Sequence, residues 1–511
     1  MRAAVIDIGS NSIKLIIGEK AEDDVRIIES LKNVLPIGKN TFFGGRIPQE
    51  TINQTVSFIE KYKQVLKEYE ISEVLVIATT AVREARNKDI FLDTVFRKTG
   101  FNIDVFNVGD VVYYIDSYLS QKIKKAYPIN DKNLIIAELG AGSLDISVME
   151  KGSTIMNIGF PIGTLKLKKL MSDLDGSIEE IYGAVKEFIL NEILYLKDSI
   201  PNLAIDDVIL IDENYSLYLQ TVLPNTKRES NFFQFKLTEA EEFLANLTSR
   251  NHDEISSAYK IPQDIMDTII GYAIVLNTLF KLTRNRHIYI LETSLAEAIL
   301  ANTLFSVELS KKKNKLNQLI SVANFLCLKY NLDLKHARHV ANLAETLFNE
   351  LKENLSLQEA DSLYLILAAY LHDIGMFVNN RSHHKHSEYI ISSLSLFRLM
   401  EEEIKIIACI ARYHRRTAPV KTHILYNSLA PNNQILVQKL SAILRIANSL
   451  DRSHRQKVKK FEITFNRKQD ITLTVHTMES FVLEKASFLG NKKLFEEVSG
   501  NKINLAIKNP E

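Results

Sequence analysis

Six histidine and aspartate side chains in the second half of the chain have the chemistry of metal ligands. They are His336, His372, Asp373, His386, His414 and Asp451. Imidazole nitrogens and carboxylate oxygens suit a divalent transition metal or Mg²⁺, and the neighbours His372 and Asp373 can present two ligands from one helical turn. A bound ion with open coordination positions would polarise a phosphate oxygen. The set therefore predicts a metal site, with Mn²⁺ or another divalent ion as its cofactor.

Two further interpretations of these histidines stay open. Residues 382–387 (SHHKHS) can complete a second metal site, or they can line a polyanion-binding surface together with Lys385, Arg412, Arg415 and Arg416. Alternatively, the histidines hydrogen-bond one another and the helices that carry them form a binding and dimerisation platform. The residue types alone do not decide between a metal centre and such a platform.

A second candidate site lies near the N-terminus, in residues 7–12 (DIGSNS). Gly9 allows a close approach of the backbone, and Ser10, Asn11 and Ser12 can donate hydrogen bonds to phosphate oxygens. A carboxylate at the end of a strand, here Asp7, can hold a Mg²⁺ that neutralises those oxygens. By itself the pattern is equally typical of a bare hairpin turn.

The elements that must position this turn alternate between strands and helices. Strands are predicted at 3–8, 13–18, 73–78, 102–108, 133–138, 146–150, 153–158, 208–211 and 287–291, and helices at 48–69, 111–125, 178–197, 238–248 and 264–282. Such alternation predicts an α/β domain with a central sheet. A strand, a Gly/Ser turn and a hairpin partner occur near residue 7 and again near residue 138, which predicts two related lobes with a cleft between them.

The lysine-rich stretch 310–315 (SKKKNK) interrupts this pattern and predicts a solvated linker rather than a nucleic-acid patch. Beyond it, residues 316–451 have helical periodicity, and strands return at 461–465, 471–476 and 503–507 around a helix at 481–498. The net charge of +1 divides at this junction, because residues 1–306 carry 33 basic and 42 acidic side chains. We therefore expect two unlike halves, and no specific nucleic-acid partner.

Composition limits the remaining classes of protein. Only two cysteines are present among 511 residues, which excludes a disulfide framework and a cysteine-rich zinc module. No stretch of 18 consecutive apolar residues occurs, and the N-terminus leads directly into a strand. We expect a soluble, cytoplasmic protein without membrane association.

Several motifs taken together resemble the exopolyphosphatase/guanosine pentaphosphatase (Ppx/GppA) family. In the first half they are residues 7–15 (DIGSNSIKL), 78–87 (ATTAVREARN), 138–143 (ELGAGS) and 160–167 (FPIGTLKL). In the second half, residues 336–343, 371–390, 411–414 and 444–454 resemble the HD-type helical domain of the family, and 483–505 resemble its terminal domain. The resemblance covers nearly the whole chain.

The resemblance implies a fold and a domain order. The fold is α/β, with two actin-like (ASKHA, ribonuclease H-like) lobes at 1–125 and 126–308. An all-α HD domain at 315–455 and a small C-terminal α/β domain at 456–511 follow. The family resemblance also implies a homodimer.

The resemblance further implies an activity and its residues. Similar proteins remove terminal phosphates from inorganic polyphosphate, or the γ-type phosphate of guanosine pentaphosphate, using Mg²⁺ and a carboxylate that activates water. The expected partners are therefore inorganic polyphosphate or guanosine penta- or tetraphosphate. Carried over, Ser10, Asn11 and Ser12 bind phosphate, Arg83 clamps it, and Glu138, Gly140 and Ser143 form a second phosphate loop. Asp7 or Glu138 would hold the Mg²⁺. The alternative for Arg83 is an ion pair with Glu84 or Glu138.

The chain departs from the family pattern at phosphate-facing positions. Where the family has Gly-x-Glu-Glu-Ala, with its general-base glutamate, residues 109–113 read GDVVY. Valine cannot accept a proton, so Asp110 is the only obvious substitute base, although its side chain points elsewhere on the helix. Glu138 stands for an aspartate and Ala141 for a glycine, and residues 212–214 (DEN) and 294–298 (SLAEA) replace Gly-Gly-Thr and Gly-Leu-Arg-Glu-Gly. In the HD pattern, Asn448 replaces the last aspartate ligand.

Three functions therefore remain open. The first is a phosphohydrolase with a weakened site between the lobes. The second is an enzyme whose catalysis takes place at the HD metal site. The third is a non-catalytic sensor or scaffold that binds polyphosphate or a guanosine polyphosphate.

Overall fold

The computed structural model describes residues 1–508 other than 23, 124–125, 200–202, 214, 225–229, 250–251, 285–286, 306–307, 395, 397–398 and 468–469. The chain forms two compact units, Met1–Lys313 and Asn314–Glu511. Their boundary lies within the lysine-rich stretch, which belongs to the helix Glu308–Lys329. Within the described part of the chain, no helix combines the length and the apolar character needed to cross a membrane.

The first unit begins with a five-stranded sheet in the order β3-β2-β1-β4-β5. The strands are β1 (Arg2–Ile8), β2 (Ser12–Ala21), β3 (Asp24–Val34), β4 (Val74–Ala78) and β5 (Asp104–Val105). The first three pair in an antiparallel manner and β4 is parallel to β1. The accompanying helices are α1 (Ile37–Gly44), α2 (Gln49–Glu68), α3 (Thr80–Arg83), α4 (Lys88–Thr99) and α5 (Val108–Lys122).

A second sheet in the same unit has the order β10-β11-β9-β6-β7-β8. Its strands are β6 (Asn133–Leu139), β7 (Leu144–Glu150), β8 (Ser153–Phe160), β9 (Asp207–Asp212), β10 (Phe232–Lys236) and β11 (His287–Glu292). Its helices are α6 (Thr164–Asp173), α7 (Ile178–Ser199), α8 (Ser216–Val222), α9 (Leu237–Thr248), α10 (His252–Tyr259), α11 (Gln263–Leu279) and α12 (Leu295–Phe305).

The two sheets repeat one arrangement, as the sequence predicted. In each, an antiparallel three-stranded meander is followed by a helical crossover to a strand that lies parallel to the first one, β4 beside β1 and β9 beside β6. Residues on both faces of β1 are buried. One face packs in a core with α2 and α4, and the other packs in a core with α12. Helices α5 and α12 share one hydrophobic core with both sheets, so the lobes form a single packed unit.

The second unit is helical and ends in a small sheet. Its helices are α13 (Glu308–Lys329), α14 (Leu334–Leu351), α15 (Ser362–Leu371), α16 (His383–Ser392), α17 (Glu401–Arg412), α18 (Ile424–Asn427), α19 (Pro431–Leu450) and α20 (Val482–Ser499). Strands β12 (Phe461–Phe465), β13 (Ile471–His476) and β14 (Ile503–Lys508) pair in that order, close to the predicted bounds. Helix α20 packs on α19, which joins this sheet to the helical part.

Candidate functional site

Two matching hairpin turns lie at the ends of β1 and β6. The backbone N–H of Gly9 donates to the carbonyl of Ser12, and that of Gly140 donates to the carbonyl of Ser143, at 2.9 Å in both turns. In the first turn the carbonyl of Ser10 accepts from Gly38 N at 2.6 Å, which ties the turn to the start of α1. The predicted phosphate-binding turns are therefore equivalent positions of the internal repeat.

Side chains of the first lobe contact the second turn directly. The hydroxyls of Thr80 and Ser143 are 3.0 Å apart. A Cβ atom on Gly142 would lie 2.4 Å from Cζ of Phe42 and 2.7 Å from Cγ2 of Thr80, so a larger residue there would require these side chains to move. The structure thus brings Ser143 and Gly140 to the lobe that carries Arg83.

Arg83 is held at this junction by neutral partners. Its Nη1 donates to the carbonyl of Phe106 at 2.6 Å and its Nη2 donates to Oγ1 of Thr80 at 3.1 Å. Among the described residues it has no carboxylate within 4 Å, and Glu84 pairs with Lys166 instead. Because a guanidinium has five N–H donors, these two hydrogen bonds orient Arg83 and leave donors for an anionic ligand.

Three carboxylates lie close enough to Arg83 or to each other for their charges to interact. Glu138 faces Asp145 across the β6–β7 pair, and burial together with the charges of Asp145 and Asp7 raises the pKa of Glu138. Burial raises the pKa of Asp145 against the opposing charge of Arg83. Burial and the charge of Glu213 raise the pKa of Asp7 to about 7. Asp145 is the member of this group that our sequence analysis did not identify.

These carboxylates offer the kind of donor atoms that a hard divalent cation takes. One oxygen of Asp7 and one of Asp145 are buried without a hydrogen-bond partner. Oxygen ligands of this kind are what Mg²⁺ prefers, and a cation would relieve the repulsion between the neighbouring charges. The donor types in the cleft are those that Mg²⁺ takes, but within the described residues the oxygens of Asp7, Glu138 and Asp145 do not all lie within 4.8 Å of one another.

The start of α5 separates the predicted substitute base from the cavity it would need to reach. Asp110 takes part in a capping box, since its side chain accepts from Asn107 N at 2.9 Å and Asn107 accepts from Asp110 N at 2.9 Å. Val111 and Val112 instead line a small cavity with Glu138 and Asp145. The cavity has about 10 Å³, room for about one water molecule. The position without a base thus faces Asp145.

The replaced family turns have structural partners in this chain. Glu213 accepts from Nζ of Lys14 at 3.0 Å and lies 3.6 Å from Nζ of Lys32, so it joins the two lobes. Asp212 accepts from Tyr215 N and from the hydroxyl of Tyr272. Asn214, the third residue of this turn, lies outside the described residues.

In the second unit, four imidazoles surround the carboxylate of Asp373. The distances from Nε2 to the nearest carboxylate oxygen are 3.1 Å for His383, 3.4 Å for His372, 3.6 Å for His414 and 4.0 Å for His336. All four rings are buried. The helices α14 and α16 and the ends of α15 and α17 supply them.

The opposite nitrogen of each ring fixes its tautomer. Nδ1 of His372, His383 and His414 faces a backbone carbonyl oxygen, at 2.8, 3.0 and 2.6 Å. A carbonyl oxygen only accepts, so Nδ1 carries a proton in these three rings, and Nε2 presents a lone pair wherever the ring is neutral. The Nε2 atoms of His383 and His414 are 3.2 Å apart, a distance at which they can share a proton or both face a metal ion. Burial also lowers the pKa of His372 and that of His414, which favours the neutral, metal-binding form.

Two overlapping groups of side chains have the spacing of metal ligands. They are His336, Asp373 and His454, and Asp373, His383 and His414. Asp451 supports the first group, because its Oδ2 accepts from Nδ1 of His336 at 2.8 Å, an outer-shell arrangement typical of metal-binding histidines. His386 belongs to neither group, so the structure puts His383 where the sequence analysis put His386. His454 was not proposed as a ligand, although its ring stacks on His336 at 3.6 Å.

Comparison with known proteins agrees with both parts of the chain. The model of the Ppx/GppA phosphatase family matches residues 16–306, and the model of Ppx/GppA phosphatase domain III matches residues 319–497. Crystal structures of an Aquifex aeolicus family member and a Cytophaga hutchinsonii exopolyphosphatase superpose with TM-scores of 0.52 and 0.53, at 19% and 18% identity. Each superposition covers 60% of this chain. It covers 97% of the Aquifex aeolicus chain and 99% of the Cytophaga hutchinsonii chain. They share the two-lobed actin-like fold.

Curated relatives are distant and differ in the part that they match. A guanosine-5'-triphosphate,3'-diphosphate pyrophosphatase of Pseudoalteromonas translucida is 21% identical over 87% of this chain and 86% of its own length. Exopolyphosphatase 1 of Mycobacterium leprae is 27% identical, over 34% of this chain and 52% of its own. A bifunctional 3-dehydroquinate synthase/phosphatase of Fusobacterium nucleatum is 27% identical, over 38% of this chain and 30% of its own length. With a family model that spans more than half of its residues, this chain belongs to the Ppx/GppA phosphatase family.

Proposed function

We propose that the first unit hydrolyses phosphoric anhydride bonds and removes the terminal phosphate of inorganic polyphosphate or a guanosine polyphosphate. The observation that carries this proposal is the convergence of two glycine turns, an anchored arginine and three carboxylates between the lobes. The names of the distant relatives, a guanosine polyphosphate pyrophosphatase and an exopolyphosphatase, support the same substrates. The proposal keeps the lobes as the catalytic part of the chain.

Binding of the terminal phosphate falls to the turns and to Arg83. Backbone N–H groups and polar side chains of Ser10, Asn11, Ser12 and Ser143 can donate to phosphate oxygens from the two turns, and Gly140 closes the second turn through its N–H. Arg83, oriented by Phe106 and Thr80, adds a planar charged fork that matches two phosphate oxygens. In phosphoryl transfer, most of the rate enhancement comes from positioning and charge neutralisation of this kind.

Asp7 or Glu138 would hold the Mg²⁺. When it is bound, this ion supplies neutralisation of the charge on the phosphate oxygens. Each of the three carboxylates is buried or partly buried and has a raised pKa, so their ionised forms depend on such a countercharge. Glu213 lies near Asp7 but is paired with Lys14 and is not assigned to the ion.

Asp145 is the best-placed general base. Its carboxylate faces the same cavity as Val111 and Val112, where the family glutamate is missing. It would take a proton from a water molecule, whose oxygen attacks the terminal phosphorus while the bond to the bridging oxygen breaks and the shortened chain departs. Asp110 is engaged in the cap of α5. Because this base lies on β7 and not on α5, where the family has its glutamate, we expect the activity to be weakened but not abolished.

The test is release of orthophosphate from long-chain polyphosphate and from guanosine pentaphosphate, with Mg²⁺ and with EDTA. We expect wild type to release orthophosphate only with the metal, and Asp7→Asn to lose at least about tenfold of the rate. Asp93→Asn, an exposed carboxylate on α4 paired with Arg97, is the matched control and should keep the full rate. No release from either substrate, with binding of polyphosphate retained, would favour the scaffold function instead.

A second candidate function is carried by the histidines around Asp373. We infer a divalent metal centre there, in an HD-type domain, because four Nε2 atoms converge on one carboxylate and two of them face each other. His383, His414 and Asp373 would hold Mn²⁺ or another divalent ion, and His336, His454 and Asp373 form an overlapping group that could hold a second one. Metal analysis after loading with Mn²⁺ should find at least one ion more in wild type than in Asp373→Asn, whereas equal metal content would overturn the centre.

A further inference from the structure

Helix α5 carries a buried carboxylate one turn beyond the valines that replace the family glutamate. Asp116 follows Val112 by four residues, so the two side chains lie on one face of the helix. This face packs against β7, where Asp145 and Ser147 are two residues apart and therefore lie on one face of the sheet. Asp116 is 2% exposed, and the hydrolysis proposed for the cleft does not use it.

The hydrogen bonds of Asp116 leave one of its oxygens for a further partner. Its Oδ2 accepts from the hydroxyl of Ser147 at 2.9 Å and from that of Thr154 at 2.7 Å. Its Oδ1 is buried and has no hydrogen-bond partner among the described residues, and the same holds for Oδ1 of Asp145. Because a buried polar atom without a partner is costly, we expect each of these two oxygens to have a ligand.

Asp116 and Asp145 line the same small cavity. The cavity is also lined by Val112, Glu138 and Ser147, and its volume of about 10 Å³ holds about one water molecule. A buried water needs several polar partners, and the carboxylates supply them. Since a water has two O–H groups, it can donate one to each carboxylate. If Asp116 carries a proton, Asp116 donates to the water, and the water still donates to Asp145.

We propose that Asp116 is a positioning residue for hydrolysis, and that it holds the carboxylate of Asp145 through one water molecule bound in this cavity. This inference rests on the proposed function of the cleft, in which Asp145 is the general base. The water would fix the direction of the Asp145 carboxylate before a proton is transferred to it. The hydroxyls of Ser147 and Thr154 hold Asp116 in turn.

The test is steady-state release of orthophosphate from long-chain polyphosphate by the full chain with Mg²⁺, measured as kcat and KM. Asp116→Val removes both oxygens, and we expect kcat to fall at least about tenfold while KM stays within about twofold of wild type. Thr278→Val, which removes a buried hydroxyl from α11, is the matched control and should keep the kcat of wild type.

The conservative variant Asp116→Asn separates the water from a structural role of the charge. Its amide oxygen can accept from Ser147 and Thr154, and its amide nitrogen can donate to the water. We therefore expect kcat of Asp116→Asn to stay within about threefold of wild type. A kcat as low as that of Asp116→Val would overturn the proposal.

Val112→Ile tests the water without changing a polar group, and it keeps the question testable if Asp116→Val does not fold. An additional methyl group in the cavity would displace the water, so we expect a fall in kcat similar to that of Asp116→Val. The two substitutions together should cost no more than either alone, because both remove one link. A folded Val112→Ile with the kcat of wild type, or additive losses in the double variant, would overturn the proposal.

The outcomes separate this inference from the function on which it rests. If wild type releases no orthophosphate from polyphosphate or guanosine pentaphosphate, the proposed function is wrong and the role of Asp116 falls with it. If Asp145→Asn keeps the rate of an active wild type, Asp145 is not the base and the positioning role is also wrong. If Asp145→Asn loses activity but Asp116→Val keeps the kcat of wild type, only the positioning role is overturned.

Discussion

At the scale of single residues, two carboxylates only a short distance from the same cavity have different environments. Asp110 accepts a backbone hydrogen bond at the start of α5, where a negative charge is favoured by the helix dipole. Asp145 is 3% exposed, and one of its oxygens has no hydrogen-bond partner. An unsatisfied buried carboxylate is costly unless it serves a ligand or a reaction, so Asp145 is the stronger candidate for chemistry.

Replacement of Asp110 by alanine should affect folding more than turnover. Loss of the capping box is expected to lower the free energy of unfolding by about 1 kcal/mol, since one backbone N–H loses its partner. The measurement is urea unfolding followed by circular dichroism, together with the orthophosphate assay. A loss of activity comparable with that of a catalytic carboxylate, without loss of stability, would restore Asp110 as the base.

Replacement of Asp145 by asparagine should affect turnover more than folding. A general base contributes about 10²–10⁴-fold to a rate, so we expect orthophosphate release to fall by about 10²-fold or more. Stability should stay the same or increase, because asparagine removes a buried charge next to Glu138. Turnover within twofold of wild type would exclude Asp145 as the base.

Only some residues of the two candidate sites could be identified from the sequence. Arg83, Glu138 and Ser143 were identified from motifs, and the structure brings them to one junction. Asp145 was missed because it lies inside a strand, and only the register that pairs it with Glu138 reveals it. His383 was considered for a second metal site or a polyanion-binding surface, because the side that faces Asp373 depends on where α16 begins, and the structure starts it at His383.

At the scale of elements, the second phosphate turn is shaped by the helix that follows β8. Helix α6 begins directly on this turn, since Thr164 N donates to the carbonyl of Gly140 and Leu165 N donates to that of Ala141. A Cβ on Gly163 would lie 2.3 Å from backbone atoms of Ala141 and Gly142. The backbone contact is so close that glycine is required, and the turn and α6 must form together.

Gly163→Ala should therefore disrupt the turn. Because backbone atoms and not a flexible side chain are in the way, we expect a loss of at least about 1–3 kcal/mol in stability and a clear loss of orthophosphate release. Gly183→Ala in α7 is the matched control, since nothing lies within 4 Å of its new Cβ, and it should be neutral or stabilising by up to about 1 kcal/mol. Equal melting temperatures for the two variants would contradict this packing.

Most elements could be predicted from periodicity, and the exceptions have physical reasons. The buried strands β1, β6 and β9 and the amphipathic helix α2 have strong apolar patterns and were found. Strand β3 was missed because its side chains are only partly covered at the edge of the sheet. The lysine-rich stretch was predicted as a linker from its charge, yet lysine has a high helix propensity and the chain continues there as α13.

At the scale of the whole molecule, the balanced charge is the sum of two different units. Residues 1–306 have more acidic than basic side chains and the remainder has the reverse, with ten of the twelve histidines. An acidic unit repels a polyanion unless a divalent cation screens it, whereas a basic one attracts it. The carboxylates of the cleft lie in the acidic unit, and Arg415 and Arg416, near Asp373, lie in the basic unit.

The stability of the two units should depend on pH in opposite directions when metals are removed with EDTA. Burial raises the pKa of Asp116, whose Oδ2 accepts from Ser147 and Thr154, to about 7 from 3.8. Between these values the unfolded chain has lost the Asp116 proton while the folded chain still holds it. The free energy of unfolding of the first unit therefore falls by about 1.4 kcal/mol per pH unit from this group as the pH rises from about 4 to 7. His372 and His414 have lowered pKa values, so the second unit loses stability as the pH falls below about 6.5.

Hydrogen exchange followed by mass spectrometry, corrected for intrinsic rates, resolves the two units by peptide. We expect higher protection at pH 5 than at pH 7 in the sheets of the first unit, and the reverse in α14 to α17. Asp116→Asn should reduce the slope of the first unit's stability against pH by about one proton. The same direction of change in both units would contradict the assigned pKa shifts.

The most direct measurement of the central claim is steady-state release of orthophosphate from polyphosphate by wild type, Arg83→Ala and His372→Ala/Asp373→Ala, with Mg²⁺ or Mn²⁺. If the cleft of the first unit is the site of hydrolysis, Arg83→Ala loses about 10²-fold or more and the double variant keeps most of the rate. If the double variant alone abolishes release and Arg83→Ala retains it, hydrolysis takes place at the Asp373 centre and the assignment of the cleft is wrong.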